Sequence, residues 1–434
     1  MVSRAALGDR EGCTIRGRVR RDDECSACDI ACVHASTYTE VITQTISDSS
    51  IRSASSSRIN WVTTAFLVLT PLIGVIWGIA HIRTVGIRPV EIAAFAFYVC
   101  ATGFSITAGY HRLFAHRSYQ CSLAVKVLYL LFGAAAFQHS VLSWCSDHRR
   151  HHKHIDGDKD PYNIQRGFFW AHVGWLLVTE HKEQTDYSNV RDLAADPWIR
   201  FQHRFYLPIA VLMGFVVPFG LGMAVGVPWG CMLWAGVFRV VLVHHSTFLV
   251  NSLAHTFGGR PYTLAVSARD SVVTALLTFG EGYHNFHHRF AADYRNGVSP
   301  TAWDPSKWLI GSLEHLGLAW DVRRVALERI VAARLACDCE RLATRMTEHS
   351  EHARASLREY LTEISAHVEQ AAARLGSVER DFAAARARWG RRPRARLAHL
   401  RTELRSAQLE MRAALLRWRA VISGIASGSS ALPT

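Results

Sequence analysis

Hydrophobic and polar positions are segregated into long blocks along this chain. Between Arg58 and Arg83 the stretch "INWVTTAFLVLTPLIGVIWGIAHI" carries no formal charge. At ~1.5 Å per residue it is long enough to cross a ~30 Å hydrocarbon layer as a helix. A second uncharged run, "IAAFAFYVCATGFSITAGY", extends from Ile92 to Tyr110. No charge occurs from Phe205 to Phe238, and "VPWG" at 227–230 supplies a turn inside that run. The pattern predicts four transmembrane helices, at about 59–82, 90–110, 205–226 and 229–250, arranged as two hairpins.

Two other apolar runs are shorter, Val127 to Trp144 and "FFWAHVGWLLV" at 168–178. The second cannot cross a bilayer. A lone crossing by the first would put "HRLFAH" and "HRRHH" on opposite faces of the membrane, so any cooperation between those histidines requires zero or two crossings. Both runs are therefore read as helices lying on or beside the membrane surface. Both termini and the polar segments 111–204 and 251–434 then share one side, which holds most of the Lys and Arg. The positive-inside rule makes that side cytoplasmic.

The ends of the chain differ from the middle. Residues 1–57 close on "SDSSIRSASSSR" and read as a flexible extension unable to bury a core; no signal-peptide pattern is present in them. Cys25, Cys28 and Cys32, with Cys13 upstream, fit neither common iron–sulfur spacing, and Cys100, Cys145 and Cys231 stand singly in apolar runs. The apolar-rich middle of the chain is expected to form one domain at 58–325. From 326 to 422 the composition turns to Ala, Arg, Leu and Glu. Leu357, Leu361, Ile364, Val368, Ala371 and Leu375 recur at helical spacing. "WGRRPRAR" at 389–396 should break this region into a helical hairpin or coiled coil, and 423–434 is a flexible tail. A solvated hairpin is the plain reading of it; docking of a partner or contact with anionic lipid are the alternatives. The expected fold class is thus all-α integral membrane, with four transmembrane helices and this C-terminal extension.

The formal charge of +13 could suggest nucleic-acid binding, but no finger, RNP or GxxG pattern accompanies it and the Arg residues flank the apolar runs. No repeated pair of broken spans indicates a transporter.

Candidate chemistry lies in the 23 histidines. Three groups follow or adjoin apolar segments: "HRLFAH" with His111 and His116, "HRRHH" with His148, His151 and His152, and "HNFHH" with His284, His287 and His288. "NSLAH" adds Asn251 and His255 at i, i+4. Helical spacing of i, i+3 and i+4 lets each triad point at one place. His111 and His116 stand about 140° apart on a regular helix, so either the helix unwinds there or they face different metal ions. Nine histidines without Asp or Glu in the motifs make a nitrogen-rich donor set that exceeds one ion and implies two. Iron facing O2 suits this set, because HExxH and carboxylate patterns are lacking. Asp147, Asp156, Asp158, Asp160 and Glu281 are candidates to hold ring N–H groups. His244 and His245 read as packing residues or as outer partners that hold a ligand in place, and Arg239 within the fourth span needs a carbonyl or acidic partner.

"AGYHRLFAHRSY", "WCSDHRRHHK", "DKDPYN", "RGFFWAHVGWLL", "NSLAH" and "GEGYHNFHH" in series resemble the membrane-bound acyl-CoA (stearoyl-CoA type, Δ9) fatty acid desaturases over about residues 60–325. The resemblance implies a four-span enzyme with a cytosolic cap and a di-iron (Fe2+) centre. Its ligands would be His111, His116, His148, His151, His152, His255, His284, His287 and His288, with Asn251 holding a metal-bound water. Together with O2 and two electrons, such a centre would place a cis double bond in a saturated acyl chain. Trp144 and Trp175 would wall a bent apolar tunnel, Asp147 would meet the headgroup, and Asp160 and Glu281 would orient ligands.

One departure is that basic residues contacting CoA in animal members correspond here to Ser146, Thr179 and Glu180. Acyl-CoA is the first expectation, with acyl-lipid or acyl-carrier substrates as alternatives. No heme-binding or ferredoxin segment is evident, so electrons are expected from a separate b-type cytochrome or ferredoxin with its reductase. A di-iron lipid hydroxylase and a non-catalytic metal-binding membrane protein are the competing functions.

Overall fold

The computed structural model describes residues 58–179, 187–345, 351–388 and 394–426. The N-terminal cysteine group, Glu180, Pro393 and the end of the tail lie outside the described residues. The apolar blocks become four helices long enough to cross a membrane: α1 (Trp61–Thr84) and α2 (Pro89–Ala115), then two after the middle of the chain. Asn60 starts α1 by accepting the Thr63 amide on its side-chain oxygen at 3.2 Å. Pro89 opens α2, where a missing N–H costs nothing.

Two helices too short to span come next, α3 (Leu123–Ala135) and α4 (Val141–His154). The 168–178 run forms a wide turn, Trp170–Gly174, then Trp175–Leu177. After α5 (Pro197–Arg204), the second hairpin is α6 (Tyr206–Ala224) and α7 (Pro228–Thr256), with Gly226 turning at positive φ between them. Among the described residues four helices are long and apolar enough to cross, at the four runs the charge pattern marks. The second and fourth reach Ala115 and Thr256 rather than ending near 110 and 250, so His111 and His255 ride on continuous helices.

Beyond α7 come α8 (Val272–Leu277), α9 (His284–Arg289) and α10 (Pro305–His315). Among the described residues, strands are confined to two short antiparallel pairs, Arg58–Ile59 with Val178–Thr179 and Gln120–Cys121 with Ala319–Trp320. The main core joins Tyr110, Leu113 and Phe114 of α2 to Val125 and Tyr129 of α3, Leu142 and Cys145 of α4, and Ile310 of α10. Arg239 is fully buried in α7 and donates to the carbonyls of Ala235 at 2.9 Å, Gly214 at 3.1 Å and Ala135. Carbonyls are therefore its partners, with the Tyr98 ring 5.6 Å from the guanidinium.

The C-terminal part is helical: α11 (Leu327–Arg345), α12 (Glu351–Arg388) and α13 (Arg394–Ala426). Val331 and Leu335 of α11, Leu361, Val368 and Leu375 of α12, and Met411 and Trp418 of α13 share one buried cluster. Cys100, Cys145 and Cys231 are free thiols.

Candidate metal centre

A change of helical pitch places the first two histidines. From Ser105 to Ala115 the end of α2 is a wide π-type helix, and the His116 amide donates to the His111 carbonyl at 3.1 Å. Bonding from i to i+5 brings those residues onto one face. Of the two readings of the spacing, the altered helix is the one realised: both rings, 4.8 Å apart, belong to the same group.

The triads, in contrast, do not each point at one place. Adjacent positions on a helix differ by ~100°, so His148 and His152 of α4 face one group while His151 faces another. Helix α9 mirrors this, with His284 and His288 on one side and His287 on the other. The result is a five-histidine group, His111, His116, His148, His152 and His287, and a four-histidine group, His151, His255, His284 and His288. Within each group the potential ligand nitrogens lie within 4.8 Å of one another.

Nε2 atoms meet at 3.0 Å for His111 and His287, 2.7 Å for His116 and His148, 3.0 Å for His152 and His287, and 3.0 Å for His284 and His288. Two nitrogens ~2.1 Å from a common ion at right angles are ~3.0 Å apart, so the donor set fits metal. Burial first, and then the neighbouring imidazoles, push His116, His148, His152, His284, His287 and His288 well below the usual histidine range. They are neutral at pH 7, as ligation requires. The Nε2 of His255 is buried without a hydrogen-bond partner.

The opposite ring nitrogens are held from behind. His111 Nδ1 meets Glu281 Oε2 at 2.9 Å, and His151 Nδ1 meets Asp160 Oδ1 at 2.8 Å. His255 Nδ1 meets Ser267 Oγ at 2.7 Å, and the Ser267 amide donates to Asp156 at 2.7 Å. Burial alone would raise the Glu281 carboxyl, but His111 and Arg112 hold it down to about 2. Arg112 also bonds Asp304 at 2.9 Å, and Asn296 donates to Glu281 at 2.6 Å. Arg112, Ser267, Asn296 and Asp304 were not singled out from the sequence. Arg112 is adjacent to His111, a hint of its role; the other three join the site only through folding.

Beside both groups lies a cavity of about 490 Å³. Phe66, Phe137, Phe215 and Phe248 form apolar parts of its wall, and Trp144, Trp175, Asp147, Asn251, His148 and His284 also line it. Trp144 stacks on His148, with centroids 5.0 Å apart. Tyr162 stands between Trp175 and His151, 4.8 Å from each. Asp147 pairs with Arg150 at 3.3 Å instead of holding a ring, and burial raises its carboxyl to about 6 against the pull of Arg150.

Ser146 is buried and donates to Asn189 at 2.9 Å, while Thr179 is exposed at a strand end. His244 bonds the Ala136 carbonyl at 2.8 Å and His245 contacts His172 at 3.1 Å. Neither of these two histidines joins the metal-ligand groups.

Two histidine groups that could each hold a metal ion, carried in part by helices long and apolar enough to cross a membrane, lie beside a largely apolar cavity, the arrangement of a candidate metal centre next to a space for an apolar ligand. The fatty acid desaturase family model matches residues 91–298. The chain is 41% identical over 269 residues to a probable acyl-CoA desaturase of Schizosaccharomyces pombe, covering 61% of this chain and 55% of the relative. It is 37% identical over 280 residues to acyl-CoA desaturase 1 of Saccharomyces cerevisiae, covering 64% and 54%. With stearoyl-CoA desaturase 5 of Bos taurus the identity is 40% over 248 residues, covering 55% of this chain and 72% of the relative. The matched part thus spans little more than half of the yeast relatives. The chain belongs to the fatty acid desaturase family.

Proposed function

We propose that this protein is a membrane fatty acyl desaturase that introduces a cis double bond, at Δ9, into a saturated acyl-CoA. The observation that carries this reading is the contact between two histidine groups and one largely apolar cavity. His111, His116, His148, His152 and His287 would hold one iron. His151, His255, His284 and His288 would hold the other, with Asn251, one turn before His255, placing a water. With O2 and two electrons, the di-iron centre supplies the oxidising power to remove hydrogens from adjacent methylenes, which acid–base side chains cannot attack.

The protein's own residues do the positioning. Phe66, Phe215 and Phe248 exclude water from the acyl chain, while Trp144 and Trp175 set where its methylenes pass the histidines. Glu281 and Asp160 accept the Nδ1–H groups of His111 and His151, so that each ring turns its Nε2 lone pair to the metal. Asp147, held beside Arg150, sits where it can meet the polar headgroup. The Lys and Arg of 111–204 and 251–434 support a cytoplasmic active site and termini. Electrons would come from a separate b-type cytochrome or ferredoxin with its reductase. The residue divisions at 57, 325 and 422 are proposed as boundaries of extension, desaturase domain, helical extension and tail.

The test is gas chromatography–mass spectrometry of total fatty acids from a desaturase-deficient host expressing the full chain. A new monounsaturated acid, with its bond located by derivatisation, is expected. Hydroxy acids would replace the reading with a di-iron lipid hydroxylase. An unchanged profile from iron-loaded protein supplied with a reductase system would leave a non-catalytic metal-binding protein.

A further inference from the structure

The C-terminal helices lie beyond the 91–298 stretch matched by the family, yet one of them packs against the helix that carries three candidate ligands. Phe286 of α9 is fully buried and Phe290, just after the helix, nearly so, with ring centroids 5.2 Å apart. Tyr262 lies 5.2 Å from Phe286. Ile330 and Ala333, one turn apart on α11, complete this apolar cluster. Further along α11, Arg341 donates to the Arg260 carbonyl, two residues before Tyr262. Helix α11 is braced in turn: Trp418 of α13 donates to Asp338 at 3.1 Å, and Arg380 of α12 pairs with Glu328 at 3.2 Å.

Helix α9 has only six residues, too few to be stable alone, so what it packs against decides its position. Asp270 accepts from the amides of Asn285 and Phe286 at 2.8 and 3.1 Å, and the Asn285 side chain bonds Tyr262, Thr263 and Ala268. These bonds anchor its N-terminal end. The cluster of Phe286, Phe290, Ile330 and Ala333 secures the rest.

We infer that the C-terminal extension is part of the scaffold of the metal centre, with Ile330 and Ala333 as positioning residues that act through Phe286 and Phe290 on His284 and His288. Helix α9 gives two of four ligands to one histidine group and one of five to the other. Loosening it therefore weakens the four-histidine site first. This rests on the reading that both groups hold iron.

The experiment measures iron per chain, and the rate of its extraction by a chelator, in full-length protein purified in detergent and shown monodisperse. Wild type should hold two irons. Ile330→Ala should fall toward one, with one site releasing iron at least tenfold faster, and Ile330→Val, a smaller truncation, should keep two irons while releasing one of them about threefold faster. Val368→Ala, a comparable truncation buried within the C-terminal cluster but away from α9, should keep two. If Ile330→Ala is not monodisperse, the extraction rate of Ile330→Val decides: faster release at one site supports the inference, and an unchanged rate overturns it. Two firmly held irons in Ile330→Ala, or equal loss in Val368→Ala, would overturn it as well. Wild type without two irons would instead overturn the di-iron reading on which it rests.

Discussion

Replacing Asp160 by Asn should weaken one metal site selectively. Asp160 is buried, and each partner found for it is a donor: Oδ1 accepts His151 Nδ1–H at 2.8 Å and the Tyr162 amide at 3.2 Å, and Oδ2 accepts the Asp156 amide at 3.1 Å. An asparagine offers one oxygen and one NH2. Whichever way it is placed, its NH2 group faces a donor that the carboxylate had satisfied, at a cost of ~1–3 kcal/mol. With the oxygen toward His151 the loop at Asp156 is disturbed; with the oxygen toward Asp156 the imidazole loses its acceptor. Loss of such an outer partner costs ~10–100-fold in metal affinity, or ~1.4–2.8 kcal/mol. Because His151 belongs to the four-histidine group, the loss should appear there and not in the five-histidine group. The assay is competition for iron(II) against a chelator of known affinity, fitted for two sites. Two sites of wild-type affinity, in folded Asp160→Asn protein, would refute the reasoning.

Gly282→Ala should destabilise the fold and the third histidine segment together, because the added Cβ would lie 2.1 Å from the Ala275 backbone nitrogen. A loss of ~1–3 kcal/mol is expected, read as a lowered melting temperature in detergent. Trp144→Ala removes the ring stacked on His148 and part of the cavity wall. Misplacing the chain by ~1 Å can cost ~10²-fold in rate, so product should fall by about that factor and spread over more than one bond position in the fatty-acid profile. The Glu281 carboxyl, held at about 2 against an ordinary value of 4.5, adds stability that is present above pH 4.5 and lost as pH falls toward 2. Glu281→Gln should remove this acid dependence from a thermal-shift series.

Much of this architecture was legible in the chain because a bilayer demands it. Charge-free runs of sufficient length can only cross as helices, and the need to keep "HRLFAH" with "HRRHH" limits how many times the chain crosses between them. The nine histidines stood out because so many imidazoles at helical spacing have one common use. The spacing could not say how they divide. A uniform 3.6-residue helix separates His111 from His116, whereas the observed widening at Ser105–Ala115 unites them. It also lets each triad converge, whereas α4 and α9 sit edge-on and split theirs between two groups. Local pitch and helix rotation are set by packing against neighbours, which spacing along one element does not contain.

The same limit hid Ser267 behind His255, Asp304 beside Arg112, and Ile330 behind Phe286. Each is distant in sequence from the group it supports, or carries no pattern of its own. What the sequence by itself determined was the four runs long and apolar enough to cross and the kind of donor atom, since these follow from composition and from period along the chain. Only the tertiary structure decided which histidine belongs to which group, what holds each ring, and that the C-terminal helices back the site, because those depend on the rotation and contact of elements far apart in the chain.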